Sequence, residues 1–222
     1  MTALSGRRAR TPAVVRVVEV LAWLSAVLTV LGTLVEAATA ALGPAVWVPL
    51  PVAESWPRLP ASASVEGATA RVVGGGFTTA EVDVEGLSGV TRALLASGAV
   101  VQGGTVVVLL LLVAGLCRRQ RLGTLHDGSL SRRLQGAGLL TVVAGVVWQL
   151  CLGAGANRAA EEALRIDGAA WDESIVGWEG PGELLGFPAP GFGLQIDFWP
   201  IGLGLLLMVL AVVFRKPAGP VP

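Results

Sequence analysis

With one histidine, two cysteines and charge on only 14% of its 222 residues, this sequence is short of the groups from which catalytic, metal and disulfide sites are built. The single histidine, His126, stands beside Asp127, with no serine or cysteine at a spacing that connects to the pair. A His-Asp dipeptide in a polar loop is ordinarily solvated. Gly74-Gly75-Gly76 is not followed by a Lys-containing phosphate motif and reads as a turn rather than a nucleotide cradle. No catalytic residue, cofactor or metal site is expected, and a membrane enzyme would need acids or histidines clustered at one face.

What the chain has in excess is apolar surface. Hydrophobic residues make up 53% of it and the mean hydropathy is +0.70, whereas about a quarter of a soluble domain's residues are charged. The excess is concentrated in runs that match the roughly 20 residues needed to cross a hydrocarbon core. The expected fold is an all-α membrane protein: a bundle of four transmembrane helices with a small extracytoplasmic β-hairpin between spans 1 and 2. The chain forms a single membrane domain over 1–222, with spans at about 14–42, 94–116, 134–152 and 198–214. Outer loops cover 43–93 and 153–197, and the inner loop covers 117–133. The fourth span is barely long enough.

Basic residues are retained on the cytoplasmic side, and eleven of the sixteen fall in three places. Arg7, Arg8, Arg10 and Arg16 open the first span; Arg118, Arg119, Arg121, Arg132 and Arg133 lie between the second and third; Arg215 and Lys216 follow the fourth. Acids from Glu54 to Asp197 dominate the other two loops. The expected location is the cell membrane with both termini cytoplasmic, and the formal net charge of zero averages a basic inner face with an acidic outer one. A cleaved signal peptide competes for the first span, since Ala38-Thr39-Ala40 resembles a cleavage site. Against it stand the length of the apolar run and its Arg16 and Glu19. Cys117 and Cys151 fall at opposite ends of this layout, which excludes a disulfide within one chain.

The first outer loop opens with Pro44, Pro49, Pro51, Pro57 and Pro60, which forbid a regular helix. Residues 64–73 and 77–85 then read as two strands around the glycine turn, with valines and acids alternating in the second. In the second outer loop, residues 159–165 continue the third helix, and glycine and proline then alternate with Trp171, Trp178, Phe187, Phe192, Phe198 and Trp199. Aromatics of this kind anchor a loop at headgroup level, with a ligand cleft as the alternative. Gly136, Gly138, Ala144, Gly145, Gly202 and Gly204 suit close helix contact in lipid.

An ionisable group at mid-bilayer costs about 2.5–3.5 kcal/mol. Glu19 is expected to pair with Arg16 one turn away. Glu36 falls close to the outer boundary, where it reaches water or faces Gln102 or Thr105; an interfacial place is the plainer reading and an ion or proton site the alternative.

The stretch Leu125-His126-Asp127-Gly128-Ser129-Leu130-Ser131-Arg132-Arg133-Leu134-Gln135-Gly136-Ala137-Gly138 and the tail from Leu205 to Phe214 with Arg215-Lys216 resemble the uncharacterised bacterial four-span membrane proteins grouped as domain-of-unknown-function family 2975. Gly128-Ser129-Leu130 replaces that family's Gly-x-Pro-Phe turn. The resemblance implies four spans and, since its members often lie beside a small helix-turn-helix regulator, a cytoplasmic protein of that kind as partner. The expected function is non-enzymatic, a sensor or membrane partner of a regulator. Its other partners are the lipid bilayer and possible membrane proteins, and no direct nucleic-acid binding is expected. Arg118, Arg119, Arg121, Arg132 and Arg133 are the candidate inner-face contacts. The alternative is a small transporter or permease component using Glu36.

Overall fold

The computed structural model describes residues 6–56, 73–122, 129–165 and 188–214. In chain order these form helix α1 (Gly6–Leu42), strands β1 (Ala45–Ser55) and β2 (Phe77–Glu85), and helices α2 (Gly89–Leu122), α3 (Ser129–Leu164) and α4 (Trp199–Val213). At 1.5 Å rise per residue, helices of 37, 34 and 36 residues run to about 50–55 Å. A hydrocarbon core is about 30 Å thick, so each long helix has turns to spare. The segments Ala13–Leu42, Gly89–Leu122 and Leu130–Leu164 are long and apolar enough to cross a membrane. α4, with 15 residues, is shorter. The helical continuation expected after the third span is present as far as Leu164.

The Cα framework divides into two compact units. The first holds residues 1–38, 96–150 and 196–222. Its helices turn large side chains outward: Leu28 is 59% and Val35 64% exposed, while the inward positions of α1 are Ala22 and Ala26. Small residues there let helix backbones approach closely. A Cβ on Gly103 of α2 would strike the side chain of Thr33 in α1. α4 runs antiparallel to α3, because successive contacts pair Gly145 with Pro200, Gly138 with Gly204, and the Ser131 hydroxyl with the Ala211 carbonyl at 2.7 Å. Leu130, Leu134, Ala137, Leu207 and Ala211 form the buried cluster between them, backed by Leu109, Leu112 and Leu116 of α2. Of the glycines expected at helix contacts, Gly138, Gly145 and Gly204 are there, whereas a Cβ on Gly136 or Gly202 would meet open space.

The second unit holds residues 39–95 and 151–195. Its sheet gives β2 a partner that the sequence did not suggest. β2 lies where the alternation placed it, but its antiparallel partner is the proline-rich β1, with Val46 opposite Val84, Val48 opposite Val82 and Leu50 opposite Ala80. Residues 64–72, the expected partner, lie outside the described residues. Proline is tolerated in a strand where its missing N–H points away from the ladder. The parity of β1 meets that condition. Its second edge bonds to the segment 189–191, through the Ala53 N–H to Ala189 C=O and the Gly191 N–H to Pro51 C=O, around a Val52–Pro190 bridge. Odd-numbered residues of β1 thus direct their backbone groups to that edge, and Pro49 and Pro51 are both odd. The even residues Val46, Val48, Leu50 and Val52 are buried, forming the apolar stripe of the sheet.

Candidate functional site

In the second unit the polar contacts gather where one helix ends and the next begins. Ser88 is the N-cap of α2: its C=O accepts from Arg92 N–H, and its Oγ accepts from Thr91 N–H at 3.3 Å. The Glu162 carboxylate of α3 completes the cap. It accepts the Ser88 N–H at 2.8 Å, the Ser88 hydroxyl at 2.7 Å and the Thr91 hydroxyl at 2.6 Å. A carboxylate at a helix N-terminus also faces the positive end of the macrodipole. Glu162 lies ten residues beyond position 152, the expected end of the third apolar run. Its partial burial would raise its pKa, but the bonds from Ser88 and Thr91 and the charge of Arg158 outweigh that and hold the carboxyl below its usual range. An ionised acceptor already holding three donors is a structural anchor rather than a general base.

Arg92, one turn into α2, serves the neighbouring helix end. Its guanidinium donates to the carbonyls of Gly43 at 2.7 Å, Ala40 at 3.4 Å and Pro44 at 3.3 Å, and its Nε to Leu87 at 3.2 Å. The last carbonyls of α1 lack intrahelical partners and carry partial negative charge. Arg92 reaches one of them, that of Ala40, and the two carbonyls just past the helix.

Two amides of α3 hold extended backbone in the same reciprocal way. Within the second unit, Asn157 accepts the Gly193 N–H at 2.9 Å and donates to the Gly193 C=O at 3.1 Å. Within the first, Gln149 accepts the Asp197 N–H at 2.7 Å and donates to the Asp197 C=O at 3.0 Å. Along this segment Phe192 is 84% and Phe198 71% exposed, and Trp199 leans on Trp148 with ring centroids 5.5 Å apart.

Of the arginines expected at an inner face, Arg121 is engaged: its Nε lies 3.2 Å from Glu19 Oε2. This corrects the expected Glu19–Arg16 pair, since the α1–α2 approach brings Arg121 to Glu19 while Arg16 stays exposed. The contact is a charge contact without aligned hydrogen-bond geometry, which leaves Glu19 Oε2 buried without a hydrogen bond. Arg119 is half-buried; Arg118 at the end of α2 and Arg132 and Arg133 at the start of α3 are exposed. Glu36 is exposed on α1, and the Thr105 hydroxyl donates to Val101 in its own helix at 2.7 Å. His126, Trp171, Trp178 and Phe187 lie outside the described residues. Cys117 and Cys151 are free thiols, and among the described residues no group of three acids, histidines or cysteines could hold a metal.

Arg92 and Glu162 are the residues sequence reading missed. A Ser-Gly-Val-Thr N-cap pattern at residues 88–91 was visible, but Glu162 lies 74 residues from Ser88. Compared with protein-family models, with curated proteins and with solved structures, the chain matches none.

Proposed function

We propose that the chain is a non-enzymatic, multi-pass membrane protein crossing the bilayer four times with both termini cytoplasmic, a sensor or membrane partner whose outer sheet unit meets an envelope ligand or protein. Membership of the four-span family belongs to the same proposal. The observation that carries it is the antiparallel return of α4 along residues 131–145 of α3, within and just below the apolar run of the third span. The shortness of α4 also fits. Fifteen helical residues cover about 22 Å, and the extended residues before it, held by Gln149, make up the remainder. Non-helical backbone is tolerated at membrane depth where protein groups satisfy it.

Two buried hydroxyls weigh against the transporter reading. Thr105 and Thr141 each donate to a carbonyl one turn earlier in their own helices, so neither hydroxyl proton is free for a passing solute. Photocrosslinking from Trp47 or Phe77, both exposed on the outer sheet, tests the proposal in native membranes. A discrete envelope adduct from these positions supports it. Absence of adducts there, together with solute flux abolished by Glu36→Gln, overturns it in favour of transport.

A further inference from the structure

Gly136 stands on an exposed face of α3 with nothing within 4 Å of where its Cβ would be. It therefore does not serve the close helix contact that Gly138 makes. Three and four residues before it, on the same helical face, are Arg133 and Arg132, both exposed. Three and four residues after it are Leu139 and Leu140, 58% and 44% exposed. The face thus carries, in order along the helix, two guanidiniums, a notch without a side chain, and an apolar track.

We propose that this face of α3 is a binding site for an anionic phospholipid, with Arg132 and Arg133 on the phosphate, the glycerol region in the notch at Gly136, and an acyl chain along Leu139 and Leu140. Charge complementarity commits the face to this occupant. Guanidiniums match phosphate oxygens in charge and fork geometry, and basic groups just cytoplasmic of a span attract anionic headgroups. A cytoplasmic protein fits less well, because Leu130 and Leu134, on either side of the arginines, are already buried in the helix cluster. The guanidiniums therefore sit at the rim of the apolar helix, within snorkelling reach of headgroups. Of the five arginines between the second and third spans, Arg121 is taken by Glu19 and Arg119 is half-buried, which leaves Arg132 and Arg133 as the one adjacent pair that is exposed.

The inference rests on α3 spanning the bilayer. The full-length protein is placed in nanodiscs of equal phosphatidylglycerol and phosphatidylcholine, and the lipid retained on release into the gas phase is weighed by native mass spectrometry. Failure to enter nanodiscs would contradict the spanning reading itself; entry without lipid selectivity would contradict the site alone. Wild type is expected to retain phosphatidylglycerol, and R132Q/R133Q to lose about thirtyfold in that preference, as two surface charges facing an anionic leaflet imply. Gly136→Leu keeps both charges, and with them the orientation signal, yet fills the notch, so it too is expected to lose the preference. Equal retention of the two lipids by wild type, or unchanged preference in either variant, overturns the site. So does an equal loss in Arg118→Gln, which would mean diffuse charge, and a regulator-sized protein adduct at Arg132 in place of lipid.

Discussion

Glu162 and Arg92 tie helix ends together by electrostatics that the backbone itself sets up. Glu162 accepts from the first turn of α2, and Arg92 donates to Ala40 in the last turn of α1 and to Gly43 just past it, so each charge faces the helix end of opposite partial sign. Glu162→Gln puts an amide NH2 against donors. The expected cost is about 0.5 kcal/mol, at the low end of cap losses because the site is solvent-screened, read as a fall in thermal midpoint of the detergent-solubilised protein. The pH dependence has a definite sign. A carboxyl held below its ordinary pKa stabilises the fold above the unfolded value, and that contribution disappears as pH falls through the folded value. Wild type should therefore lose stability on acidification below the usual carboxylate range, near 4.3, by more than Glu162→Gln does; parallel curves would contradict the assignment.

Elements were legible in proportion to how local their causes are. The long helices follow from apolar runs, and β2 from valines alternating with acids. β1 was hidden because proline reads as a strand breaker until one knows which edge its missing N–H faces. Pro49 and Pro51 share a parity that turns both toward the 189–191 edge, and nothing in the local sequence says where that edge is. Gly191 shows the closeness of that approach, since a Cβ there would lie 2.4 Å from the Val52 carbonyl carbon. Gly191→Ala should therefore loosen the sheet edge, seen as faster amide exchange at Ala53. Glycines of α4 make a sharper comparison. A Cβ on Gly204 would come within 2.6 Å of the Gly138 carbonyl oxygen, while Gly202 has open space. Gly204→Ala is expected to destabilise by about 1–3 kcal/mol through overpacking, and Gly202→Ala to be neutral or stabilising by up to about 1 kcal/mol through helix propensity. Equal effects in thermal unfolding would contradict the α3–α4 contact.

At the scale of the whole molecule, charge and hydrophobicity carry the account, and both are spread along the chain in a way sequence can show. The candidate site was less legible. The arginines between the second and third apolar runs were visible as a group, but which are engaged depends on the helix approach that gives Arg121 to Glu19 and leaves Arg132 and Arg133 exposed. Four crossings are the central claim, and labelling of single cysteines tests it most directly. In a background with Cys117 and Cys151 replaced by serine, cysteines are placed singly at Thr79, Gln120, Glu161 and Lys216 and exposed to a membrane-impermeant maleimide on intact cells. The account predicts labelling at positions 79 and 161 and protection at 120 and 216 until the cells are lysed. Labelling of position 216 on intact cells alongside 161 would mean that α4 does not cross, and would contradict it.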